Sequence, residues 1–290
     1  MTATPVTASM LYDLVACPHR VSMDLFADPA TRDAVSPFVQ LLWDRGAAHE
    51  TEVIANLGEP FTDLSAFAGS EKERLTLEAM DRGDYLIYGG QVSVRELLGE
   101  PDLLRKDGGG YVAGDIKSGA GDEGGGDDGE GKSKTHYAVQ LGLYTDILEQ
   151  LGRSPGRRGF IWDIHGKEVI YDFSIPYDAK GSRTLWMDYQ DCLGEARAIV
   201  NRSSETSPAY SSGVCNNCVW YSACIAKLES TDDLTLIPEL GRSKRDAMIG
   251  MFARSRNSPQ LILQRCRRER RLCFPASVSL LSKSCKIAPS

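Results

Sequence analysis

The sequence predicts an α/β fold in which helices flank one small sheet. Short β-like runs separated by Gly-rich turns lie in the middle of the chain, amphipathic stretches with helical spacing lie on both sides, and no fixed repeat is apparent. With 290 residues, of which 42% are hydrophobic and 25% charged, the chain has the composition of a globular protein and can bury a sizeable core.

The N-terminal part predicts helices. The first follows Ser9 as its N-cap and is interrupted at Pro18, next to Cys17. A second covers SPFVQLLWDRGAAHETEVIANLG, where Ser36 is the N-cap and a proline occupies the first helical position. His49 lies on one face of this helix, where the common alternative to a ligand is a hydrogen-bonded core histidine.

The middle of the chain predicts the sheet. The runs DYLIYGGQVSV, EPDLLRK and GYVAGDIKSG form an antiparallel meander, and RGFIWDIHGKEVIYDFSI forms a hairpin that turns at His-Gly-Lys. Between them, residues 119–134 are Gly-rich and carry five acids, which predicts a disordered surface loop. The stretches THYAVQLGLYTDILEQLG and SRTLWMDYQDCLGEARAIVNR predict two further helices.

The charge of the chain is unevenly distributed. The net charge is -7, but the segment from Arg242 onward carries +10 and the rest carries -17. Any contact of the main part with nucleic acid would therefore use a local patch or metal ions that bridge to phosphate. We divide the chain into a domain at 1–230 and a basic segment at 231–290, which is either partly disordered or a DNA-binding tail.

The N-terminus and the length of the apolar runs predict where the protein is located in the cell. No apolar run approaches the length that spans a bilayer, and MTATPVTASMLYD lacks the basic and apolar regions of a secretory signal. We expect a cytoplasmic protein without membrane association. In that reducing environment, clustered cysteines hold metal more often than they form disulfides.

The stretch VCNNCVWYSAC places Cys215, Cys218 and Cys224 in a C-x2-C-x5-C spacing. Thiolate metal centres usually have four ligands, so one ligand must come from elsewhere in the chain. Four-cysteine zinc sites usually consist of two C-x2-C knuckles, and the spacing here therefore favours a [4Fe-4S] cluster, with structural Zn2+ as the alternative.

Polar residues of the predicted sheet suit a divalent cation. Asp115 and Lys117 are two residues apart on a strand and project to the same face, and Asp102 precedes the neighbouring run. Carboxylate oxygens bind Mg2+, and a lysine can balance charge on phosphate. The alternatives are a solvated charge pair at the strand and, for Gln140 and Tyr144, a hydrogen-bonded pair on a helix surface.

The order of these residues carries a family resemblance. Gly46-x-x-His49, Pro101-Asp102, Asp115-Ile116-Lys117 and Gln140-x-x-x-Tyr144 together resemble the RecB-like branch of the PD-(D/E)XK nuclease superfamily. The cysteine motif resembles the iron–sulfur subgroup of that branch, which includes CRISPR-associated RecB-like exonucleases. The resemblance covers roughly Thr7 to Phe252.

The resemblance implies a restriction-endonuclease-like core, with a small mixed central sheet that a four-cysteine cluster closes. Cys17 would be the fourth ligand of that cluster. The catalytic Mg2+ or Mn2+ would be held by His49, Asp102 and Asp115, with the Ile116 carbonyl as a further ligand. Lys117 would stabilise charge and position the attacking water, and Gln140 and Tyr144 would contact the nucleic acid.

The function that the resemblance implies is a metal-dependent DNA nuclease, an exonuclease on single-stranded ends, in DNA repair, recombination or CRISPR-type processing. Helicase or CRISPR adaptation proteins would be its partners. The alternative is a non-catalytic nucleic-acid-binding module or a partner-dependent subunit. Two departures from the family are the acidic loop, which would repel DNA, and residues 231–290, which look like a truncated helix-hairpin-helix remnant.

Overall fold

A computed structural model describes residues 4–124, 131–178 and 180–254 of the chain. They fall into two compact units, one within residues 4–208 and 212–226 and one within residues 209–211 and 227–254. The helices are α1 (Ala8–Ala16), α2 (Pro18–Phe26), α3 (Pro37–Ala55), α4 (Gly69–Arg82), α5 (Thr135–Gln150), α6 (Leu185–Val200), α7 (Ser212–Cys215), α8 (Tyr221–Ser230) and α9 (Arg242–Arg254). The strands are β1 (Val6–Thr7), β2 (Thr62–Asp63), β3 (Leu86–Tyr88), β4 (Val92–Val94), β5 (Leu97–Gly99), β6 (Leu103–Asp107), β7 (Gly110–Ile116), β8 (Asp122–Glu123), β9 (Lys132–Ser133), β10 (Arg158–Trp162) and β11 (Glu168–Asp172).

The larger unit is built on a mixed six-stranded sheet with the order β11-β10-β7-β6-β3-β2. The predicted meander is present as the antiparallel strands β3, β6 and β7, and the predicted hairpin as β10 and β11. Helix α5 lies in the connection between β7 and β10. These two strands are neighbours in the sheet and run parallel to each other. The run VSV does not extend the meander, because β4 pairs with β5 in a separate sheet that also contains β1.

Alternate residues of the central strands pack into cores on opposite faces of the sheet. Ile87, Leu104, Ala113 and Ile161 contribute to the main core with residues of α1, α4, α5 and α6. Leu86, Leu103, Val112, Ile116 and Phe160 form a second core against the C-terminal half of α3. This period-two alternation is that of a sheet covered on both faces, and every residue of β7 is accordingly buried.

The hairpin of β6 and β7 has a tight register. Leu103 pairs with Gly114 at one end and Asp107 with Gly110 at the other, where Gly108 adopts a φ of +56° in the turn. Gly114 is required for a different reason: a Cβ at this position would overlap the ring of Phe160 on the neighbouring strand.

The helix starts agree with the sequence in part. Ser36 caps α3 as predicted, since its Oγ accepts a 3.2 Å hydrogen bond from the backbone N of Val39. At the N-terminus the cap is Thr7 rather than Ser9, because Thr7 Oγ1 accepts from the backbone N of Met10. The proline after Cys17 begins α2, where a missing N–H has no cost.

The acidic segment 119–134 is held at both ends, whereas the sequence predicts a disordered loop throughout. Strands β8 and β9 pair, and the hydroxyl of Tyr171 donates a 2.6 Å hydrogen bond to the carbonyl of Gly121. Lys134 Nζ donates to the carbonyl of Ala120 at 2.8 Å. Residues 125–130 lie outside the described residues.

The smaller unit is described as far as residue 254. Its backbone forms a 3-10 turn at Leu234–Leu236 and helix α9. Thr235 Oγ1 accepts a hydrogen bond from the backbone N of Tyr210, and the buried Arg245 lies 3.2 Å from Asp233. Residues 255–290, most of the predicted basic segment, lie outside the described part. No described helix is long and apolar enough to traverse a bilayer.

Candidate active site

Two carboxylates meet where β6 and β7 run side by side. Asp102 directly precedes β6, Asp115 lies near the end of β7, and the register of the two strands brings them to the same level. The backbone N of Ile116 donates a 2.8 Å hydrogen bond to Asp102 Oδ2, and the backbone N of Asp102 lies 3.4 Å from Asp115 Oδ1. The structure thus brings together the two aspartates that the sequence places on neighbouring strands.

The two carboxylates perturb each other electrostatically. Asp115 is only 2% exposed. Burial raises the pKa of Asp102 well above its ordinary value, the charge of Asp115 raises it further, and the charge of Lys117 acts in the opposite direction. Because two carboxylates this close repel one another when they are shielded from water, the site favours a cation between them.

Lys117 supplies one positive charge to this site. Its Nζ lies 2.9 Å from Asp115 Oδ2, and its backbone N donates to the carbonyl of Trp162, which fixes the end of β7 against β10. Burial disfavours the ammonium form, but the charges of Asp115 and Asp102 outweigh it and raise the pKa of Lys117 above its ordinary value. The side chain is therefore a permanent cation that remains 22% exposed.

Helix α3 passes the end of β7 at Gly46, where a Cβ would lie 3.8 Å from Ser118 Oγ. Three residues further on, His49 is half-buried, and its Nε2 is buried without a hydrogen-bond partner among the described residues. Glu50 accepts a 2.9 Å hydrogen bond from the hydroxyl of Tyr88 on β3. Its charge is among those that raise the pKa of Asp102, so Glu50 belongs to the same electrostatic site.

Glu50 was missed by sequence reasoning. Its one sequence signal is its position beside His49, and glutamates are common on helices. The contact with Tyr88 that identifies it depends on how α3 packs on the sheet.

Helix α5 contributes Gln140 and Tyr144, which are 8% and 4% exposed. This burial rules out the alternative of a pair on the helix surface. Gln140 Oε1 has no hydrogen-bond partner in the described structure, and the hydroxyl of Tyr144 donates to the carbonyl of Glu100 at 3.3 Å. Burial raises the pKa of Tyr144, and the charges of Asp115 and Asp102 raise it further.

A divalent cation suits the donor atoms of this site. Asp115 Oδ2 is buried and has the ion pair with Lys117 but no hydrogen bond, and His49 Nε2 is buried without any. Both atoms carry lone pairs that a hard or borderline cation accepts. Within residues 4–254 as described, no three or more His, Cys, Asp or Glu side chains are already arranged around one point as metal ligands. The full ligand sets remain predictions.

The four cysteines of the predicted cluster lie in one electrostatic neighbourhood. The pKa of the Cys224 thiol is raised to about 12, chiefly by burial and in addition by Cys218, Cys17 and Cys215. Burial likewise raises the pKa of Cys218. By contrast, Cys192 lies in the main core, and Cys266, Cys273 and Cys285 lie outside the described residues.

Hydrogen bonds from the cysteine motif hold it against the N-terminal helices. Trp220 Nε1 donates to Asp24 Oδ1 at 2.8 Å, and the guanidinium of Arg32 lies 5.9 Å from the Trp220 ring. Asp33 donates its backbone N to the carbonyl of Val219 at 2.7 Å. These contacts bring the region of Cys17 to the three C-terminal cysteines.

Comparison with known proteins gives three results. The family model of the PD-(D/E)XK nuclease superfamily matches residues 21–225, which is more than half of the chain and includes the site residues from His49 to Cys224. No curated protein matches the sequence. Among solved structures, the crystal structure of SSO0001 is similar at 15% identity, over 67% of this chain and 100% of that chain. Its TM-score of 0.29 is too low to bear on fold or function.

Proposed function

The chain belongs to the PD-(D/E)XK nuclease superfamily, whose members are usually nucleases, and on that premise we propose that it is a metal-dependent deoxyribonuclease. Its substrate would be DNA, which it would degrade as an exonuclease from single-stranded ends. One observation carries the proposal: the carboxylates of the half-buried Asp102 and the buried Asp115 adjoin each other, and Lys117 Nζ lies 2.9 Å from the second.

Four groups would hold the catalytic Mg2+ or Mn2+. These are the side chains of His49, Asp102 and Asp115 and the carbonyl of Ile116. The bound cation would supply Lewis-acid chemistry, which polarises phosphate and lowers the pKa of a water molecule. Two buried atoms support this set: His49 Nε2 has no hydrogen-bond partner among the described residues, and Asp115 Oδ2 has the ion pair with Lys117 but no hydrogen bond there.

The remaining polar groups would act on the substrate. Lys117 has further N–H donors beside the one directed at Asp115, and these would orient the attacking water and balance charge on the phosphate. Gln140 Oε1 has no hydrogen-bond partner in the described part of the chain and would accept a hydrogen bond from the substrate strand. The hydrogen bond from Tyr144 to Glu100 would brace α5 beside the loop that leads into Asp102.

We also propose that Cys17, Cys215, Cys218 and Cys224 hold a [4Fe-4S] cluster, with structural Zn2+ as the alternative. The shared electrostatic neighbourhood of the thiols supports this assignment. Such a centre would connect the N-terminal helices to the C-terminal motif and contribute to the free energy of folding. A reducing cytoplasm would suit these thiolates.

Helicase or CRISPR adaptation proteins would be the partners in repair, recombination or CRISPR-type processing.

The test compares the protein with its Asp115→Asn variant. Each is incubated with Mn2+ and either a linear or a circular single-stranded DNA of the same sequence, and products are resolved on a denaturing gel. We expect the parent protein to degrade only the linear strand. Asp115→Asn should lose at least about a hundredfold in rate, because it weakens binding of the cation that would stabilise transition-state charge.

Thermal unfolding of both proteins checks that the variant is folded. Equal degradation by the two proteins would identify a contaminating nuclease. Cleavage of the circle would show an endonuclease and reject the exonuclease part of the proposal. DNA binding without cleavage under any divalent cation would favour the non-catalytic alternative.

A further inference from the structure

Three aromatic rings cluster where α1 meets the first turn of α5. The ring centroid of His136 lies 4.9 Å from that of Tyr12 and 4.4 Å from that of Tyr137, with interplanar angles of 73° and 75°. Tyr12 and Tyr137 are themselves 6.5 Å apart and tilted by only 32°. Burial and the charge of Lys134 lower the pKa of His136, so its ring is neutral at physiological pH. We call these three residues the aromatic cluster.

The aromatic cluster adjoins the catalytic lysine. Lys117 Nζ lies 5.6 Å from the centroid of the Tyr137 ring and Lys134 Nζ lies 5.3 Å from it. A Cβ at Gly119 would lie 3.7 Å from the Tyr137 hydroxyl, so the chain that leaves β7 passes beside the hydroxyl end of this side chain. Whatever phosphate approaches Lys117 therefore has aromatic surface beside it.

The side chains of the aromatic cluster differ in their exposure to solvent. Tyr137 is 8% exposed, whereas Tyr12 is 37% exposed and is among the large hydrophobic side chains left at the surface. An aromatic ring that is fixed on one side by its neighbours and open on the other is the arrangement on which unpaired bases stack.

We propose that the aromatic cluster is a stacking site for one unpaired base of the substrate strand, with Lys134 facing the adjoining phosphate. The inference rests on the proposed nuclease function and adds a physical reason for its preference for single strands. Bases in a duplex already stack on each other and cannot reach Tyr12, whereas a base at a single-stranded end can. Because every base has a π-face, the site would be tolerant of sequence.

The test measures binding, so that it does not depend on turnover. Full-length Asp115→Asn serves as the parent, and Tyr12→Ala, Tyr12→Phe or Tyr85→Ala is added to it. Tyr85 is 52% exposed and precedes β3, at the end away from Asp102, and provides an exposed tyrosine remote from the cluster. Fluorescence anisotropy gives the affinity of each for a labelled oligothymidylate and for a blunt duplex of equal length.

We expect Tyr12→Ala to weaken oligothymidylate binding about tenfold. Tyr12→Phe and Tyr85→Ala should change it by less than about twofold, and duplex binding should be the same in all four proteins. Thermal unfolding checks folding, and His136→Ala replaces Tyr12→Ala if the latter does not fold. Unchanged oligothymidylate affinity in Tyr12→Ala, or an equal loss for both probes, overturns the stacking site alone. A parent protein that binds neither probe overturns the proposed function with it.

Discussion

The hydroxyl of Tyr88 donates a 2.9 Å hydrogen bond to Oε1 of Glu50. Tyr88 is the last residue of β3, and the backbone N of Gly89 donates to the carbonyl of Asp102 at 2.8 Å. The consecutive residues Tyr88 and Gly89 therefore hydrogen-bond the side chain of Glu50 on α3 and the backbone carbonyl of Asp102, respectively. Burial and the bond to Glu50 raise the pKa of Tyr88, which keeps its hydroxyl protonated as a donor. A third carboxylate is therefore fixed beside the aspartate pair.

We expect Glu50→Gln to weaken Mn2+ binding about fivefold. Removing one unit of negative charge near the site, without removing a predicted ligand, costs ~1 kcal/mol at the effective dielectric constant of a protein. Titration of Mn2+ followed by electron paramagnetic resonance measures the affinity. Glu52→Gln is the matched control, because Glu52 is exposed on the same helix. Equal Mn2+ affinities for the two variants would show that Glu50 does not act on the site.

Gly114→Ala should destabilise the larger unit. A methyl group at this position overlaps the ring of Phe160, and the strand lies in the middle of the sheet, where it cannot move away easily. Overpacking of this kind costs about 2 kcal/mol. Urea unfolding measures the loss. Gly109→Ala, in the turn of the same hairpin with open space around it, should change stability by less than about 0.5 kcal/mol.

Glu168→Gln should reduce stability at neutral pH but not in acid. Arg105 donates two hydrogen bonds to Glu168, at 2.6 and 2.8 Å, and Trp162 Nε1 donates a third at 2.8 Å. These bonds, chiefly those from Arg105, lower the pKa of Glu168. A lowered pKa in the folded state contributes stability above the unfolded value of about 4.3, and that contribution is lost as the pH falls through the folded value.

At pH 7 we expect the unfolding free energy of Glu168→Gln to be about 1 kcal/mol lower than that of the parent protein. The difference is small because the side chains of Arg105 and Glu168 are both partly exposed. Denaturant unfolding of both proteins from pH 7 down to pH 3 provides the measurement. Glu59→Gln, at an exposed glutamate, should follow the parent protein throughout. A constant difference at all pH values would mean that packing of Glu168, not its charge, stabilises the sheet.

Cys215→Ala should lower iron content and solubility together. Loss of one of four thiolates weakens a cluster, and the segments that the cluster connects then lose that part of the folding free energy. Iron analysis and the absorption of anaerobically purified protein give the content. Cys192→Ala is the control: this thiol is buried and its Sγ lies 3.8 Å from the carbonyl of Leu11, so stability should fall while iron stays. A Cys215→Ala protein with full iron content and stability would exclude Cys215 as a ligand.

The features predicted from sequence are those that local chemistry determines. The cap at Ser36 and the hairpin at His-Gly-Lys depend on a few adjacent residues, and both are present. The second sheet was not predicted, because Val6 pairs with Leu97 far along the chain and the short run carries no period of its own. Pro18 was interpreted as a helix end, although the same residue type also begins helices.

The residues of the candidate site likewise fall into those that could be predicted from the sequence and those that could not. Asp102 and Asp115 could be paired from sequence because both belong to one hairpin. Glu50 and the aromatic cluster could not, since they depend on how α3 and α1 pack against the sheet and α5. Packing of this kind follows from the shapes of many side chains together, and no short motif records it.

The turn of the β6–β7 hairpin lies far from the two aspartates of the candidate site. Both carboxylates stand at the open end of the hairpin, whereas Gly108 and Gly109 form its turn beyond the pair of Asp107 with Gly110. Five paired residues place the turn roughly 17 Å from the aspartates. Extra residues inserted at the turn would therefore lengthen the protein without shifting either carboxylate. The turn is a suitable attachment point for a fluorophore or a surface tether on an otherwise unaltered protein.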